Sequence, residues 1–253
     1  MNKVYIYDGT FTSLLSLISI LIKHNIEPID IKSEKEYIDN LLDEKIYFNI
    51  ENKKAELAYL KNAVSMHILY TCNYAFLSND KSKEINIYYF IKNAFIYKDT
   101  IYGRKNIDSV NKVIKLSNMV SREAHKIKGF LRFKKTKNNF YYASINPTHN
   151  VIKIVSRQFR ERLSIEYWLI KDINRGIYAL YDMKEIRYLT DEDIIKLNID
   201  LSDDELDIEK LWLSFFNTIA IKERENLKCQ MNFMPKKYWK TLIEMEDMYE
   251  ESS

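Results

Sequence analysis

The chain has 253 residues, of which 46% are hydrophobic and 30% charged, and its formal net charge is only +3. This composition is typical of a soluble globular protein with a sizeable core, and it excludes a disordered chain. Four glycines and three prolines leave few natural linkers. We therefore predict a single compact unit over 1–253; the alternative is a division into an N-terminal α/β part over 1–100 and a basic α+β part over 101–253.

The first hundred residues carry alternating strand and helix patterns. "KVYIYDG" predicts a strand over 3–7, and Asp8 or Thr10 can cap a helix that extends to about Lys23. That helix contains "FTSLLSLISILI", 11–22, which is about half of the ~20 residues that a membrane span needs, so we predict a buried amphipathic helix. Further strands are predicted at "IDIKS" (29–33) and "IYFNIE" (46–51), and helices over 53–76 and 82–97.

The clearest helix is predicted over 106–128, with Gly129 as its stop. Apolar residues at helical spacing predict one buried face, formed by Val113, Leu116, Val120, Ala124 and Ile127. A basic stripe lies nearly opposite and consists of Lys112, Lys115, Arg122 and Lys126.

The second half of the chain combines hairpins with helices. "FLRFKKTKNNFYYASI" predicts a hairpin that turns near 137–139, and "EYWLIKDINRGIYALYDMKEIRYL" predicts a meander that turns at 174–176 and near 182–184. Helices are predicted over 149–162 and 203–220, with a short last helix opened by Pro235. The fold class is therefore α+β: helices with antiparallel hairpins, a β-meander and a helical C-terminus.

Charge is distributed unevenly along the sequence. Residues 104–160 contain 14 basic and two acidic side chains, a local net charge of +12, whereas 190–210 is strongly acidic. Such a basic block is typical of a surface that binds a polyanion, and a solvated face explains it less well.

This block supplies the candidate nucleic-acid-binding residues. Lysines spread along a groove neutralise phosphates, and arginine adds a planar, bidentate fork. Lysines behind Pro235, at a helix N-terminus, also suit an anion. Phe140, Tyr141 and Tyr142 either stack on unpaired bases or pack within the hairpin. The candidates are Lys112, Lys115, Arg122, Lys126, Lys128, Arg132, Lys134, Lys135, Arg157, Arg160, Lys236 and Lys237.

Catalytic signatures are absent from the sequence: it has no Walker loop, GxGxxG, GxSxG or HExxH motif, and its four histidines show no metal-ligand spacing. We therefore expect no metal and no cofactor. His125, whose neutral form is favoured by nearby Arg122 and Lys128, and His149 are weak candidates for an acid or base; the alternative is a structural histidine. The two cysteines lie far apart and outside CxxC spacing, which fits a reducing cytoplasm.

Several stretches resemble a known family. "REAHKIKGFLRF", "NPTHN", "LWLSFFNTIAIKEREN" and "QMNFMPKKYWKTL", together with "YDGTF" near the start, are similar to hallmark stretches of a bacterial family of uncharacterised proteins assigned to DNA metabolism or DNA repair. The resemblance implies a link with a radical-SAM protein of DNA modification or repair. It also implies kinship with proteins in which such a domain is fused to a uracil-DNA-glycosylase-like domain.

Three hypotheses about function stay open on the sequence. The first is a DNA-binding accessory protein of bacterial DNA repair or modification that acts with the radical-SAM partner. Under this hypothesis we expect no membrane binding. The second is a nucleic-acid-processing enzyme that uses His125 or His149. The third is a protein–protein adaptor without DNA affinity, whose basic face meets an acidic partner and whose acidic segment near 200–209 meets a basic one.

Overall fold

The computed structural model of the chain describes residues 2–40, 43–48, 53–194, 200–219 and 226–245. The chain forms two compact units, Met1–Ser121 and Arg122–Ser253. The predicted α+β class is confirmed, since helices are combined with a five-stranded, mostly antiparallel sheet and the C-terminal region is helical.

The first unit contains a three-stranded parallel sheet in the order β2-β1-β3. The strands are β1 (Asn2–Tyr7), β2 (Asp30–Ser33) and β3 (Asp43–Tyr47). The helices are α1 (Phe11–Lys23), α2 (Lys53–Ala63), α3 (Met66–Phe76), α4 (Lys83–Tyr97), a 3-10 helix over Lys98–Gly103, and α5 (Asp108–Phe130), within which the boundary between the units falls.

Helix α1 fulfils the prediction for the most apolar stretch of the chain. Thr10 is its N-cap and accepts a hydrogen bond from the Ser13 backbone N–H at 3.2 Å. Leu14, Leu17 and Ile18 are fully buried in the core of this unit. Among the residues that the structure describes, no helix has both the length and the apolar character that crossing a bilayer would require.

Several boundaries differ from the predictions. The helix predicted over 53–76 is two helices, because Ser65 adopts an extended backbone and caps α3. Helix α5 continues through Gly129, so the predicted stop is wrong: the Leu131 N–H still donates to the Ile127 carbonyl at 2.8 Å. Strand β3 begins at residue 43 rather than 46, and the end of its predicted range, 49–51, lies outside the described residues.

A buried carboxyl group lies in the core of the first unit. The Tyr7 hydroxyl donates to Glu84 Oε1 at 3.2 Å, and the Glu84 side chain is 1% exposed. Burial raises the pKa of Glu84 to about 7, and Lys83, whose Nζ lies 3.8 Å away, only partly offsets this. Glu84 therefore titrates near neutral pH.

The second unit is built around the five-stranded sheet, in the order β4-β5-β6-β7-β8. Its strands are β4 (Lys134–Lys135), β5 (Tyr141–Ile145), β6 (Trp168–Asp172), β7 (Ile177–Tyr181) and β8 (Ile186–Thr190). Its helices are α6 (Ile152–Arg162), α7 (Asp203–Ile219), α8 (Leu227–Phe233) and 3-10 helices over Lys236–Thr241 and Ile243–Met245.

The strand pairing confirms the hairpin β4–β5 and the meander β6–β7–β8. Gly176 in the β6–β7 turn has φ +59°, a conformation in which a side chain is strained, and a Cβ there would also lie 2.1 Å from Asp191 Oδ2 and displace that carboxylate, so the turn favours glycine. Strands β5 and β6 pair in parallel, which requires a crossover, and α6 provides it. This crossover brings α6 back beside the sheet.

We predict that Glu84 makes the stability of the first unit depend on pH. Between its ordinary value of 4.5 and about 7, folded Glu84 keeps a proton that the unfolded chain releases. Stability is therefore fully present below pH 4.5 and falls as pH rises through this window, by about 3 kcal/mol for the whole shift. Glu84→Gln should remove this loss when urea unfolding is measured at pH 5 and pH 8.

The matched control is Glu34→Gln, since the Glu34 side chain is exposed. It should leave the pH dependence of the wild type unchanged. A Glu84→Gln variant that loses as much stability between the two pH values as the wild type contradicts the assignment.

Candidate nucleic-acid interface

The last turns of α5 begin the second unit and present its basic residues. Ala124 and Ile127 are each 2% exposed, as the predicted apolar face requires, and this buried face leaves Arg122 and His125 exposed. The orientation of the helix is thus set by burial of its apolar face.

Glu123 anchors this end of α5 although its side chain is only 6% exposed. Its Oε1 accepts hydrogen bonds from the Thr148 backbone N–H at 3.0 Å and from the Tyr238 hydroxyl at 2.9 Å. Its Oε2 accepts from the His149 backbone N–H at 2.7 Å, and Lys237 Nζ forms an ion pair with Oε1. One carboxylate therefore joins α5, the "NPTHN" turn at 146–150 and the 3-10 helix after Pro235.

The electrostatics of this cluster favour the charged carboxylate. Burial alone would raise the pKa of Glu123, but hydrogen bonds from Lys237 and from the two backbone N–H groups outweigh it and lower the pKa. Burial, together with the adjacent carboxylate, raises the pKa of Tyr238, so its phenol stays protonated and donates. Lys237 Nζ also lies 2.7 Å from Thr148 Oγ1.

The carbonyl side of the same turn is held by the β6–β7 connection. Arg175 donates to the Thr148 carbonyl at 2.6 Å and to the Pro147 carbonyl at 3.2 Å. Its guanidinium is held in turn by the buried Asp172 carboxylate at 3.1 Å, and the Asn174 amide adds a bond to the Pro147 carbonyl at 2.8 Å. Backbone N–H groups of the "NPTHN" turn are hydrogen-bonded to Glu123, and C=O groups of the turn to Arg175 and Asn174. The turn is therefore held on both sides and fixes the position of the first residues of α6.

Helix α6 carries two exposed arginines on one face, Arg157 and Arg160, at i, i+3 spacing. Val155 and Phe159 are buried on the other side of the helix. Glu161 and Glu166, the acidic residues that follow them in the sequence, form no ion pair with either arginine. No described residue therefore neutralises either guanidinium group.

A cleft of about 420 Å³ lies between the end of α5, the start of the hairpin and the end of α6, and we name it the α5–α6 cleft. Its walls combine cations with aromatic rings and include one acidic residue. The cations are Lys128, Arg132 and Arg162; the rings are Phe133, Tyr141 and Phe159; the acid is Glu166. Cations beside flat rings are the usual means of binding single-stranded nucleic acid.

Several predicted cations are already paired with carboxylates. Lys112 lies 2.6 Å from Asp80 in the first unit. In the second unit Lys134 lies 2.7 Å from Glu209, Arg132 lies 3.5 Å from Glu244 and Lys237 pairs with Glu123. Lys126 donates to the Asn232 carbonyl at 3.3 Å. These residues contribute to the packing of the protein, and they are less available to phosphates.

Other predicted cations form no ion pair with any residue that the structure describes. Lys135 is half-buried in β4 opposite Tyr141, and the exposed Lys236 lies over the Trp239 ring at 5.7 Å. Lys115 is exposed on α5 and belongs to the first unit. The other predicted cations without an ion pair to a described residue belong to the second unit: Arg122, Lys128, Arg157 and Arg160.

The hairpin aromatics lie on opposite faces of β5. Phe140 and Tyr142 pack against Leu169 and Tyr178 in a small core cluster. Tyr141 lies on the other face and lines the α5–α6 cleft. Of the two interpretations, packing therefore applies to two of these rings, and Tyr141 is the ring placed for stacking.

The two candidate histidines occupy different environments. His125 is exposed on α5, whereas His149 is 7% exposed beside Glu123. Burial lowers the pKa of His149, so its imidazole is held in the neutral form. No group of three or more His, Cys, Asp or Glu side chains that could hold a metal ion occurs among the described residues.

Four residues of this region were not among the predicted site residues: Glu123, Arg162, Glu166 and Arg175. A signal existed for Glu123, which is the single acid of the basic stretch 122–145 and precedes an apolar-face position by one residue. Arg162 continues the "SRQFRER" cluster that contains Arg157 and Arg160. The contacts of Arg175 with the turn join residues 27 and 28 positions apart, so no local pattern reveals them.

Together the fold and the cleft define an α+β protein whose second unit carries a basic, aromatic-lined cleft. The chain belongs to the family described as "Domain of unknown function (DUF4130)", whose family model matches residues 81–244, well over half of the sequence. This agrees with the predicted resemblance to an uncharacterised family. Searches of curated proteins and of solved structures found no match.

We predict that Glu123→Ala destabilises the second unit by about 3 kcal/mol, because the Thr148 and His149 N–H groups and the Tyr238 hydroxyl all lose their acceptor. The measurement is urea unfolding at pH 7. Since the lowered pKa of Glu123 stabilises the fold only above its ordinary range near 4.5, the difference from the wild type should shrink as pH falls below that range.

Glu161→Ala is the control, because Glu161 is exposed on α6; it should change stability by no more than about 0.5 kcal/mol. Equal stabilities of the two variants at pH 7 would show that Glu123 does not anchor the turn.

Proposed function

We propose that this protein is a DNA-binding accessory protein of bacterial DNA repair or modification that acts in the cytoplasm with a radical-SAM partner. The observation that supports DNA binding is that α6 exposes Arg157 and Arg160, which form no ion pair with a described residue, and that the same helix contributes Phe159 and Arg162 to the α5–α6 cleft. The resemblance noted in the sequence supports the DNA-repair setting and the choice of partner.

A cation binds phosphate well only if no carboxylate already neutralises it. A lysine already paired with a carboxylate gains little from a phosphate, since it must exchange one anion for another. Arg157 and Arg160 have no such partner in the part of the chain that the structure describes, and their planar forks can bind phosphate oxygens in pairs. Each phosphate that they neutralise releases condensed counterions, so the resulting affinity depends steeply on salt.

The division of labour with a partner follows from the sequence. A radical-SAM iron–sulfur cluster is bound by a CxxxCxxC run, and this chain has only two cysteines, Cys72 and Cys229. In our proposal the partner supplies the radical chemistry, and this protein holds and positions the DNA.

We predict that Arg157→Ala combined with Arg160→Ala weakens DNA binding about tenfold or more and lowers the slope of log affinity against log salt by about 1 to 2. Both effects follow from the loss of two phosphate contacts. The measurement is fluorescence anisotropy with single- and double-stranded DNA across a salt series.

A charge-matched control combines Lys184→Ala and Lys210→Ala, two exposed lysines outside α5 and α6. It should retain the salt slope of the wild type within about 0.5. If both double variants lose affinity equally, the attraction is general and the α6 arginines are not its site.

The exposed face of helix α7 is the surface that suits binding of the radical-SAM partner in this proposal. Helix α7 exposes Ile208, Leu211 and Phe215 at helical spacing, with 54%, 69% and 54% of each residue accessible. Exposed Asp204 and Asp207 lie at the N-terminal end of this α7 stripe, and Asp207 pairs with the exposed Lys210. The stripe therefore suits a helix of the radical-SAM partner that has an apolar face and a basic end.

We predict that Leu211→Asp combined with Phe215→Asp abolishes binding of the purified radical-SAM protein from the same bacterium, because the charges make burial of the stripe unfavourable. Biolayer interferometry measures the partner, and DNA binding of the same variant is the control and should be unchanged. Partner binding that survives the substitutions rejects the α7 stripe, and so does a dimer of the wild type that the variant cannot form.

A further inference from the structure

We propose that the α5–α6 cleft holds one unpaired nucleotide of the bound DNA and prefers a base that carries an exocyclic amino group. This inference rests on the proposed function and adds which part of the DNA is recognised. The protein would then recognise single-stranded or extruded bases in addition to binding phosphates.

The size of the cleft suits a single nucleotide. Its volume of about 420 Å³ falls in the range of ~300–1,000 Å³ that is usual for small-ligand sites. A base inside a duplex is stacked on both faces and cannot enter a pocket on a protein surface. Only an unpaired base, or one turned out of the helix, can do so.

The rings of the cleft differ in how firmly they are held. Phe133 meets Phe159 edge-on, with 5.1 Å between ring centroids, and lies 6.2 Å from Trp168. Tyr141 is half-buried, and within the described part of the chain it makes no ring contact. The cleft thus combines a braced aromatic wall with an open ring, the arrangement on which a base can stack.

The cations of the cleft are placed for the sugar–phosphate chain on either side of that base. Lys128 on α5 forms no ion pair with a described residue. Arg162 at the end of α6 lies over the Phe159 ring at 5.4 Å, which orients its guanidinium without neutralising it. Arg132 is more firmly bound, by the Gly129 carbonyl at 3.0 Å and by Glu244 at 3.5 Å. Lys128 and Arg162 are therefore the phosphate ligands.

Glu166 is the residue through which the cleft can discriminate among bases. It is the acidic residue of the lining, and its side chain has no hydrogen-bond or ion-pair partner among the described residues. An ionised carboxylate only accepts hydrogen bonds, so it suits the N4 amino group of cytosine or the N6 amino group of adenine. Thymine presents the O4 acceptor at the corresponding position and is disfavoured.

The test compares fluorescent dC12 and dT12, which are pyrimidine strands of equal charge; cytosine has an amino group at position 4, whereas thymine has a carbonyl there and also a C5 methyl group. At fixed salt the wild type should bind dC12 about tenfold more tightly. Tyr141→Ala should weaken binding of both strands about tenfold or more, because stacking does not depend on the base. Glu166→Gln should remove the difference between the strands, since a glutamine amide can also donate to thymine O4.

Controls separate the cleft from general effects. Tyr47→Ala removes an exposed tyrosine of the first unit and Glu161→Gln an exposed acid of α6, and both should bind like the wild type. Tyr141→Leu keeps an apolar side chain in β5 without a flat ring, so it tests stacking if the alanine variant does not fold.

The outcomes distinguish this inference from the proposed function. Salt-dependent binding of both strands that ignores base identity and the Tyr141 variants overturns the inference and leaves DNA binding standing. Absence of binding by the wild type, even at low salt, overturns both. A preference for dT12 over dC12 rejects the role of Glu166.

Discussion

A buried carboxylate is costly unless every lost contact with water is replaced, and Glu123 meets this condition through two backbone N–H groups, a phenol and an ammonium group. The partners come from segments that are 25 to 115 residues away in sequence. Because the "NPTHN" turn is fixed from this side and by Arg175 from the other, the start of α6 is fixed as well. The arginines of α6 and one wall of the α5–α6 cleft therefore depend on the Glu123 cluster.

The same cluster shows that the basic stretch serves two purposes. Cations that meet a carboxylate, such as Lys134 with Glu209 and Lys237 with Glu123, hold elements together. Other cations, such as the exposed Arg157, form no ion pair with a described residue. The local charge of +12 between residues 104 and 160 overstates the free charge of the surface, since the neutralising acids at 209 and 244 lie outside that window.

What the sequence could predict was mostly local. Periodicity located α5 and its buried face, and turn residues located the hairpin and the meander, because these patterns are completed within a few residues. The break at Ser65 and helix α8, capped by Asn226, were missed although both caps are visible in the sequence. The parallel pairing of β5 with β6 could not be predicted, since it depends on the packing of the crossover helix and not on either strand.

The candidate site likewise combines features that a local sequence pattern predicts with features that depend on tertiary structure. The i, i+3 spacing of Arg157 and Arg160 identifies them as neighbours on a helix face from sequence alone. That Tyr141 faces a cleft while Tyr142 packs in a core could be predicted only as an alternation, because which face is buried depends on strands and helices elsewhere. The lining of the cleft by Lys128, Tyr141 and Glu166 is a product of tertiary structure.

The partners of Glu123 are synthesised well after Glu123 itself, so the Glu123 cluster forms late during translation. Tyr238 follows Glu123 by 115 residues, which a ribosome adds in about 6 to 23 seconds at the usual rate of ~5–20 residues per second. During that interval the first unit, which contains its own core and sheet, can already fold, whereas Glu123 still lacks its phenol and ammonium partners. The Glu123 cluster that supports one wall of the cleft is thus completed only after residue 238 has been added, so a nascent chain carries the cations of the cleft before their supporting contacts are complete.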